Sequence, residues 1–277
     1  MKNKILLSKP ITDSIYENIK NKLSTIENKP KLAILLVGDK RDSITYINLK
    51  RKKCKELGIE SELYSFYENQ SINHIIETIN ELNNNDIIKG IIVQLPLPKY
   101  YTKNDEYKIL NSVSPDKDID GYHYHNVGNL TLGNPKYIPC TAEGCHKLLK
   151  YYDIPIKGKH IVFVGSSKVI AIPLAHLLLH ERATITLCNI HTENIKEITN
   201  KADILISCCG VPHLIDTTWI KENTIIIDVG INHLNDKIVG DVNFTDVLNK
   251  VKHITPVPGC IGPLTISVLI DHLMNNV

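Results

Sequence analysis

Nowhere in the 277 residues do apolar side chains run together for the length of about eighteen that a bilayer-spanning helix requires. The opening Met1-Lys2-Asn3-Lys4-Ile5-Leu6-Leu7-Ser8-Lys9-Pro10 is basic, but its apolar run is too short for a secretory signal. A soluble, cytoplasmic protein with no membrane partner is expected. An excess of charge is missing too. Thirty-two basic residues stand against 30 acidic ones, leaving a net charge of +2, so no overall field selects for nucleic acid or an anionic surface, and the expected partner is a small molecule. The seven cysteines never form a Cys-x-x-Cys pair; their odd number and apolar surroundings predict buried free thiols in a reducing compartment. There is no internal repeat at the solenoid period and no low-complexity tract beyond a bias to asparagine.

Metal ligands in a convincing set are also lacking. Asp116-x-Asp118-x-Asp120-Gly121 imitates the opening of a calcium loop, but Val127 stands where a bidentate glutamate is needed. His123 and His125 have no carboxylate or thiol to complete a site. No metal is expected.

What the chain does have is α/β alternation, over a length that allows two domains of ordinary size. Ile161-Val162-Phe163-Val164 is a β-branched apolar run closed by Gly165-Ser166-Ser167. Val169, Ile170, Ala175 and Leu177-Leu178-Leu179 follow at helical spacing. Strand, tight turn and helix in this order form half of a βαβ unit, whose helix start attracts phosphate. An ordinary βα turn reads the same way, and the dinucleotide fingerprint would have three glycines where only Gly165 is present.

Before it, a helix is predicted over 11–23, from Ile11, Ile15, Ile19 and Leu23. Strands follow over 31–37, 60–66 and 87–95, with a helix capped by Ser43 and ended by Gly58 and another over 71–82. Residues 99–137 read as a long loop region with one short helix, and Thr141 as the cap of a helix running to 151. After it, strands are predicted over 160–164, 183–188, 203–207 and 224–228. Helices are predicted over 168–180, 192–200 and 263–274.

Three polar positions stand out. Tyr46 and Lys50 lie four apart, on one face of their helix. Spacing alone favours Lys50 as part of the solvated run Lys50-Arg51-Lys52-Lys53-Lys55, with Tyr46 covering the core edge. Gln94 ends the strongest strand of the first half, where ligands collect in open α/β sheets; a satisfied amide at a strand end reads equally well.

Together these stretches resemble the bifunctional methylenetetrahydrofolate dehydrogenase/methenyltetrahydrofolate cyclohydrolase family. The resemblance rests on Leu32 to Asp39 followed by Ser43-x-x-Tyr46-x-x-x-Lys50, and on Gly90-Ile91-Ile92-Val93-Gln94-Leu95-Pro96-Leu97-Pro98. Pro115-x-Lys117-Asp118-Ile119-Asp120-Gly121 and Pro139-Cys140-Thr141 continue it. Ile227-Asp228-Val229-Gly230-Ile231-Asn232, Gly240-Asp241-Val242 and Thr255-Pro256-Val257-Pro258-Gly259 with Gly262-Pro263 complete it in order.

The resemblance implies an α/β fold of two domains across a cleft. A folate-binding catalytic domain would cover 1–138 plus 263–277, and a Rossmann-like NAD(P)-binding domain 139–262. It also implies a homodimer, tetrahydrofolate as substrate, and NADP or NAD as cofactor. Catalysis falls to Lys50 as the proton-transfer residue of the hydrolytic step, with Gln94 as its hydrogen-bond partner and Tyr46 stacking on the folate. Asp120, Gly259 and Pro263 are implied to bind the folate; Thr141, Gly165, Ser166, Ser167, Ile190 and Ile231 are implied to bind the dinucleotide.

The chemistry is consistent with those roles. Methenyltetrahydrofolate is a cation attacked by water, so a neutral amine serves as base, and a bound cation disfavours a protonated amine beside it. A carboxylate pairs strongly with the donor edge of a pterin. The departures gather at the nucleotide: Ser166 replaces the family's usual arginine, whose fork suits the 2′-phosphate of NADP, and Asn189-Ile190 replace a His-Ser pair. Ala142 and Cys260 replace a Pro and a Gly. A cyclohydrolase with weakened or lost dehydrogenase activity is therefore a second reading, and a non-catalytic folate- or nucleotide-binding protein a third.

Overall fold

The computed structural model describes residues 4–277. The described residues divide into two compact units, one of residues 14–140 and 266–277, the other of residues 4–13 and 141–265. The divisions fall within α1 (Lys9–Ser24), at the start of α6 (Cys140–Tyr151) and within the last helix, α10 (Ile261–Met274).

The first unit is built on β1 (Lys31–Val37), β2 (Glu60–Phe66) and β3 (Ile88–Val93), parallel in the order β2-β1-β3. The run KLAILLV forms the central strand because both its faces are covered. Ile34 packs in one buried cluster with Ile47, Ile92 and Leu269, while Ala33, Leu35 and Val37 pack in another with Ile75, Ile79 and Ile109. Helix α2 (Arg41–Leu57) connects β1 to β2, and α3 (Ile72–Asn83) connects β2 to β3 on the other side of β1. The reversal at β1 and β3 opens a crevice outside their carboxyl ends, where ligands bind in such sheets.

Two expectations fail here. Ser43 does not cap α2, which begins at Arg41 after Lys40 and has no side-chain cap; Gly58 does end it, at φ 74°. Residues 99–137 hold two helices, α4 (Lys103–Ser112) and α5 (Tyr124–Thr131). A capping box starts α4, Thr102 accepting from the Asp105 amide and Asp105 from the Thr102 amide.

The second unit carries five parallel strands in the order β10-β7-β6-β4-β5. They are β4 (His160–Val164), β5 (Thr184–Cys188), β6 (Ile204–Ser207), β7 (Ile225–Asp228) and β10 (His253–Ile254), with α7 (Ala171–His180) and α8 (Ile195–Thr199) as connections. This is the doubly wound order, reversing at β4 and β6. A hairpin of β8 (Asn232–Leu234) and β9 (Lys237–Val239), unforeseen from the sequence, follows β7, and α9 (Phe244–Val247) follows the hairpin. Residues 4–13 join this unit, not the first as expected, because Leu6 N donates to Ile254 O at 2.8 Å. Thr141 lies inside α6, one residue past its start, and accepts from Thr265 Oγ1 at 3.2 Å; it is not the cap.

Candidate active site

In the first unit α2 turns Ser43, Ile47, Lys50, Cys54 and Leu57 inward as one stripe. Lys50 is thus 3% exposed and lies outside the solvated basic run that spacing alone favours. Its Nζ donates to Gln94 Oε1 at 3.2 Å and sits 4.8 Å from the centre of the Tyr46 ring. Gln94 is buried and fixed from two directions, its backbone N–H donating to Leu35 O at 2.9 Å and its Nε2 to Leu95 O at 2.7 Å. Lys50 pairs with no carboxylate among the described residues. The amine is thus held, buried, between a neutral amide and an aromatic face.

Asp120 enters on the loop between α4 and α5, tied to β3 by a bridge between Ile91 and Asp118. The spaced carboxylates have different surroundings. Asp116 pairs with Lys136 at 2.6 Å, and Asp118 accepts from His123 N and Asn126 Nδ2, both at 2.8 Å. Burial pushes Asp118 above the usual carboxyl range, against those hydrogen bonds. Asp120 is 8% exposed, and Gly121 beside it takes φ 76°, where a Cβ would come within 2.9 Å of the Ile138 carbonyl carbon. Among the described residues no group of three His, Cys, Asp or Glu side chains could hold a metal. Reading the sequence missed Tyr122: burial pushes its hydroxyl well above the usual phenol range, with Asp120, Cys140 and Tyr46 adding to the shift.

In the second unit Gly165 closes β4 at φ 114°, and a Cβ there would lie 2.6 Å from Cys208 O. The turn is therefore pressed against the loop after β6 at the point where the strand order reverses, a cradle that only glycine fits. The Gly165 amide donates to Cys188 O at 3.0 Å and is spent within the fold. Ser166 is exposed, Ser167 half-buried, Ile190 is 93% exposed and Ile231 58% exposed. Gly259 and Pro263, both exposed, belong to this unit as well. These residues fit a dinucleotide: a glycine turn at the switch point, with hydroxyls and open apolar side chains around it.

Beside the turn lie two buried carboxylates, Asp228 and Asp241. Burial, helped by the charge of Asp241, pushes Asp228 up to about 7, although the amides of Gly230, Asp241 and Val242 all donate to it. A carboxyl held above its unfolded value binds its proton more tightly in the folded chain, so this contribution to stability is complete in acid and lost as pH rises towards about 7. The melting temperature is expected to fall on the order of 5 °C between about pH 5 and 8, and Asp228→Asn to flatten that slope in a thermal scan. An unchanged slope in the variant would place the titration elsewhere.

The two units thus define a class: an α/β protein with a buried lysine–amide pair on one sheet and a dinucleotide-type turn on the other. Residues 6–120 match the family described as tetrahydrofolate dehydrogenase/cyclohydrolase, catalytic domain, and residues 139–277 its NAD(P)-binding domain. The chain belongs to the tetrahydrofolate dehydrogenase/cyclohydrolase family. It is 44% identical over 265 residues to the bifunctional protein FolD of Aquifex aeolicus, covering 95% of this chain and 90% of that one. The structure of FolD from Campylobacter jejuni superposes with a TM-score of 0.93 at 41% identity, over 98% of this chain and 97% of that one. A Trypanosoma brucei FolD complexed with NADP and an inhibitor gives a TM-score of 0.93 at 30% identity, over 98% and 96%.

Proposed function

We propose that this chain oxidises 5,10-methylenetetrahydrofolate to 5,10-methenyltetrahydrofolate with NADP or NAD, and hydrolyses the product to 10-formyltetrahydrofolate. The observation that carries the reading is the buried Lys50 Nζ, held 3.2 Å from Gln94 Oε1 beneath the Tyr46 ring, in a chain that has both domains of the family.

In the hydrolytic step water adds to the cationic methenyl carbon and Lys50 accepts the proton that water gives up. The bond from that carbon to N5 then breaks as the adduct's hydroxyl becomes the formyl carbonyl; the proton held by Lys50 passes to N5, and the hydroxyl proton is released to solvent. Gln94 accepts one Nζ hydrogen and so points the amine, without supplying a negative charge that would hold it protonated. Tyr46 offers its ring face to the folate, and Asp120, Gly259 and Pro263 bind it, the carboxylate taking the donor edge of the pterin. In the oxidative step a bound nicotinamide would supply the hydride acceptor. The protein's part there is placement by Thr141, Gly165, Ser166, Ser167, Ile190 and Ile231.

Two copies pair through the second unit, where β5 is an edge strand, hydrogen-bonded among the described strands to β4 alone, and Leu187 on it is 41% exposed. The setting is the cytoplasm: all seven cysteines are free thiols, and no described helix is long and apolar enough to cross a membrane.

One pair of assays tests the reading. Methenyl absorbance is expected to disappear without nucleotide, and to appear from methylenetetrahydrofolate with NADP or NAD. Ser166 and the open Ile190 favour a second reading, a cyclohydrolase with little dehydrogenase activity; it would show the first signal alone. A binding protein would show neither.

A further inference from the structure

The sequence contains two triplets of the same three residue types, Asp228-Val229-Gly230 and Gly240-Asp241-Val242, joined by the β8–β9 hairpin. In the fold each carboxylate occupies the space above the other triplet's glycine. A Cβ on Gly240 would collide with Asp228 Oδ2, and one on Gly230 with Asp241 Oδ1. The two triplets therefore interlock, and the interlock aims the Asp241 carboxylate, which has no exposed surface, at the loop following β6.

Almost every hydrogen bond to that carboxylate comes from this loop. Oδ2 accepts from Ser207 Oγ at 2.9 Å, Cys209 N at 2.8 Å, Cys209 Sγ at 3.3 Å and Gly210 N at 3.3 Å. Oδ1 accepts from Val211 N at 3.1 Å and from Asn232 Nδ2 at 2.9 Å. Three successive backbone amides, 209 to 211, thus converge on one anion, a nest that a neutral acceptor would hold less tightly. Asn232 extends the hold to the segment beginning at Ile231.

The loop after β6 and the Gly165 turn after β4 flank the reversal in strand order, the crevice where an open α/β sheet binds its nucleotide. They touch directly, Cys208 N donating to Val164 O at 2.9 Å. We infer that Asp241 is a positioning residue for the dinucleotide: it holds the loop over 209–211 and the segment at Ile231 in the shape that receives the cofactor, without touching it. The inference rests on the dehydrogenase and cyclohydrolase reading above.

The bifunctional enzyme carries its own control, because hydrolysis of methenyltetrahydrofolate needs no nucleotide. Asp241→Asn is expected to raise the Kd for NADPH, read by nucleotide fluorescence, about tenfold. Hydrogen exchange should quicken at amides 209–211, while nucleotide-free hydrolysis stays at the wild-type rate. Equal loss of both activities in a folded variant, or loss of neither, overturns the inference. Should Asp241→Asn not fold, Asn232→Ala removes one donor and keeps the charge. The same split at smaller amplitude is then expected, and no split overturns the inference. A wild-type enzyme that binds no NADP(H) or NAD(H) would sink the dehydrogenase reading and this inference together, whereas equal binding by wild type and variant sinks this inference alone.

Discussion

Lys50→Met is expected to lower nucleotide-free hydrolysis of methenyltetrahydrofolate at least about a hundredfold, the lower end of what a positioned general base contributes, while NADPH binding is unchanged. Methionine is the informative replacement because Lys50 is 3% exposed and lies on the buried stripe of α2. Alanine would leave a cavity and confound lost chemistry with lost packing. Methionine keeps the length and removes the base. It also leaves Gln94 Oε1 without the Nζ hydrogen it accepts, a loss of about 1 kcal/mol offset by no longer burying an amine. The thermal midpoint should therefore stay within a few degrees of wild type. Full turnover in Lys50→Met would remove Lys50 from the reaction; loss of turnover together with loss of NADPH binding would point to misfolding.

The strands were legible wherever burial on both faces turns a strand into a continuous apolar run, as in KLAILLV of β1 and HIVFV of β4. The helices between 99 and 137 were not, because little apolar periodicity marks them. In α4 only Ile109 and Leu110 are buried, and its start is written in the Thr102–Asp105 reciprocal cap. The turn between β8 and β9 does carry a local signal in the sequence. Asn235 and Asp236 both take positive φ, 49° and 59°, and these two residue types tolerate it best in a two-residue hairpin.

Lys50 shows how a site hides in a pattern. In the sequence it opens a basic run, and charge runs are ordinarily solvated. Its position relative to Ser43, Ile47, Cys54 and Leu57, however, follows the three- and four-residue spacing of a buried stripe. A lysine on an apolar stripe is the informative observation, and weighing register above composition would have found it. The interlock of Asp228 with Asp241 had no comparable trace: the triplets are visible, but their meeting across the hairpin is a tertiary fact.

Ser166→Arg is expected to raise the preference for NADP over NAD, measured as the ratio of kcat/KM values, by up to about a hundredfold. The two cofactors differ by one phosphate on the adenosine ribose, so discrimination has to come from groups that meet that phosphate. In the wild-type chain Ser166 at the exposed end of the Gly165 turn brings a hydroxyl, and Asn189-Ile190 after β5 bring an amide and an apolar side chain that is 93% exposed. None carries a positive charge to favour the phosphate, and none is a carboxylate to repel it, so the wild-type ratio is expected to be near one. A guanidinium at 166 adds a bidentate, charge-assisted contact worth roughly 1.5–3 kcal/mol, which is about ten- to a hundredfold in affinity. Being exposed, the new contact should weaken as salt rises. NAD has no such phosphate and its kcat/KM should hold. A wild-type enzyme that already prefers NADP strongly would show that another cation, with Lys168 and His191 the exposed residues nearest in sequence, meets the phosphate in place of the missing arginine. A variant that gains with NAD as much as with NADP would instead place the effect on the turn itself.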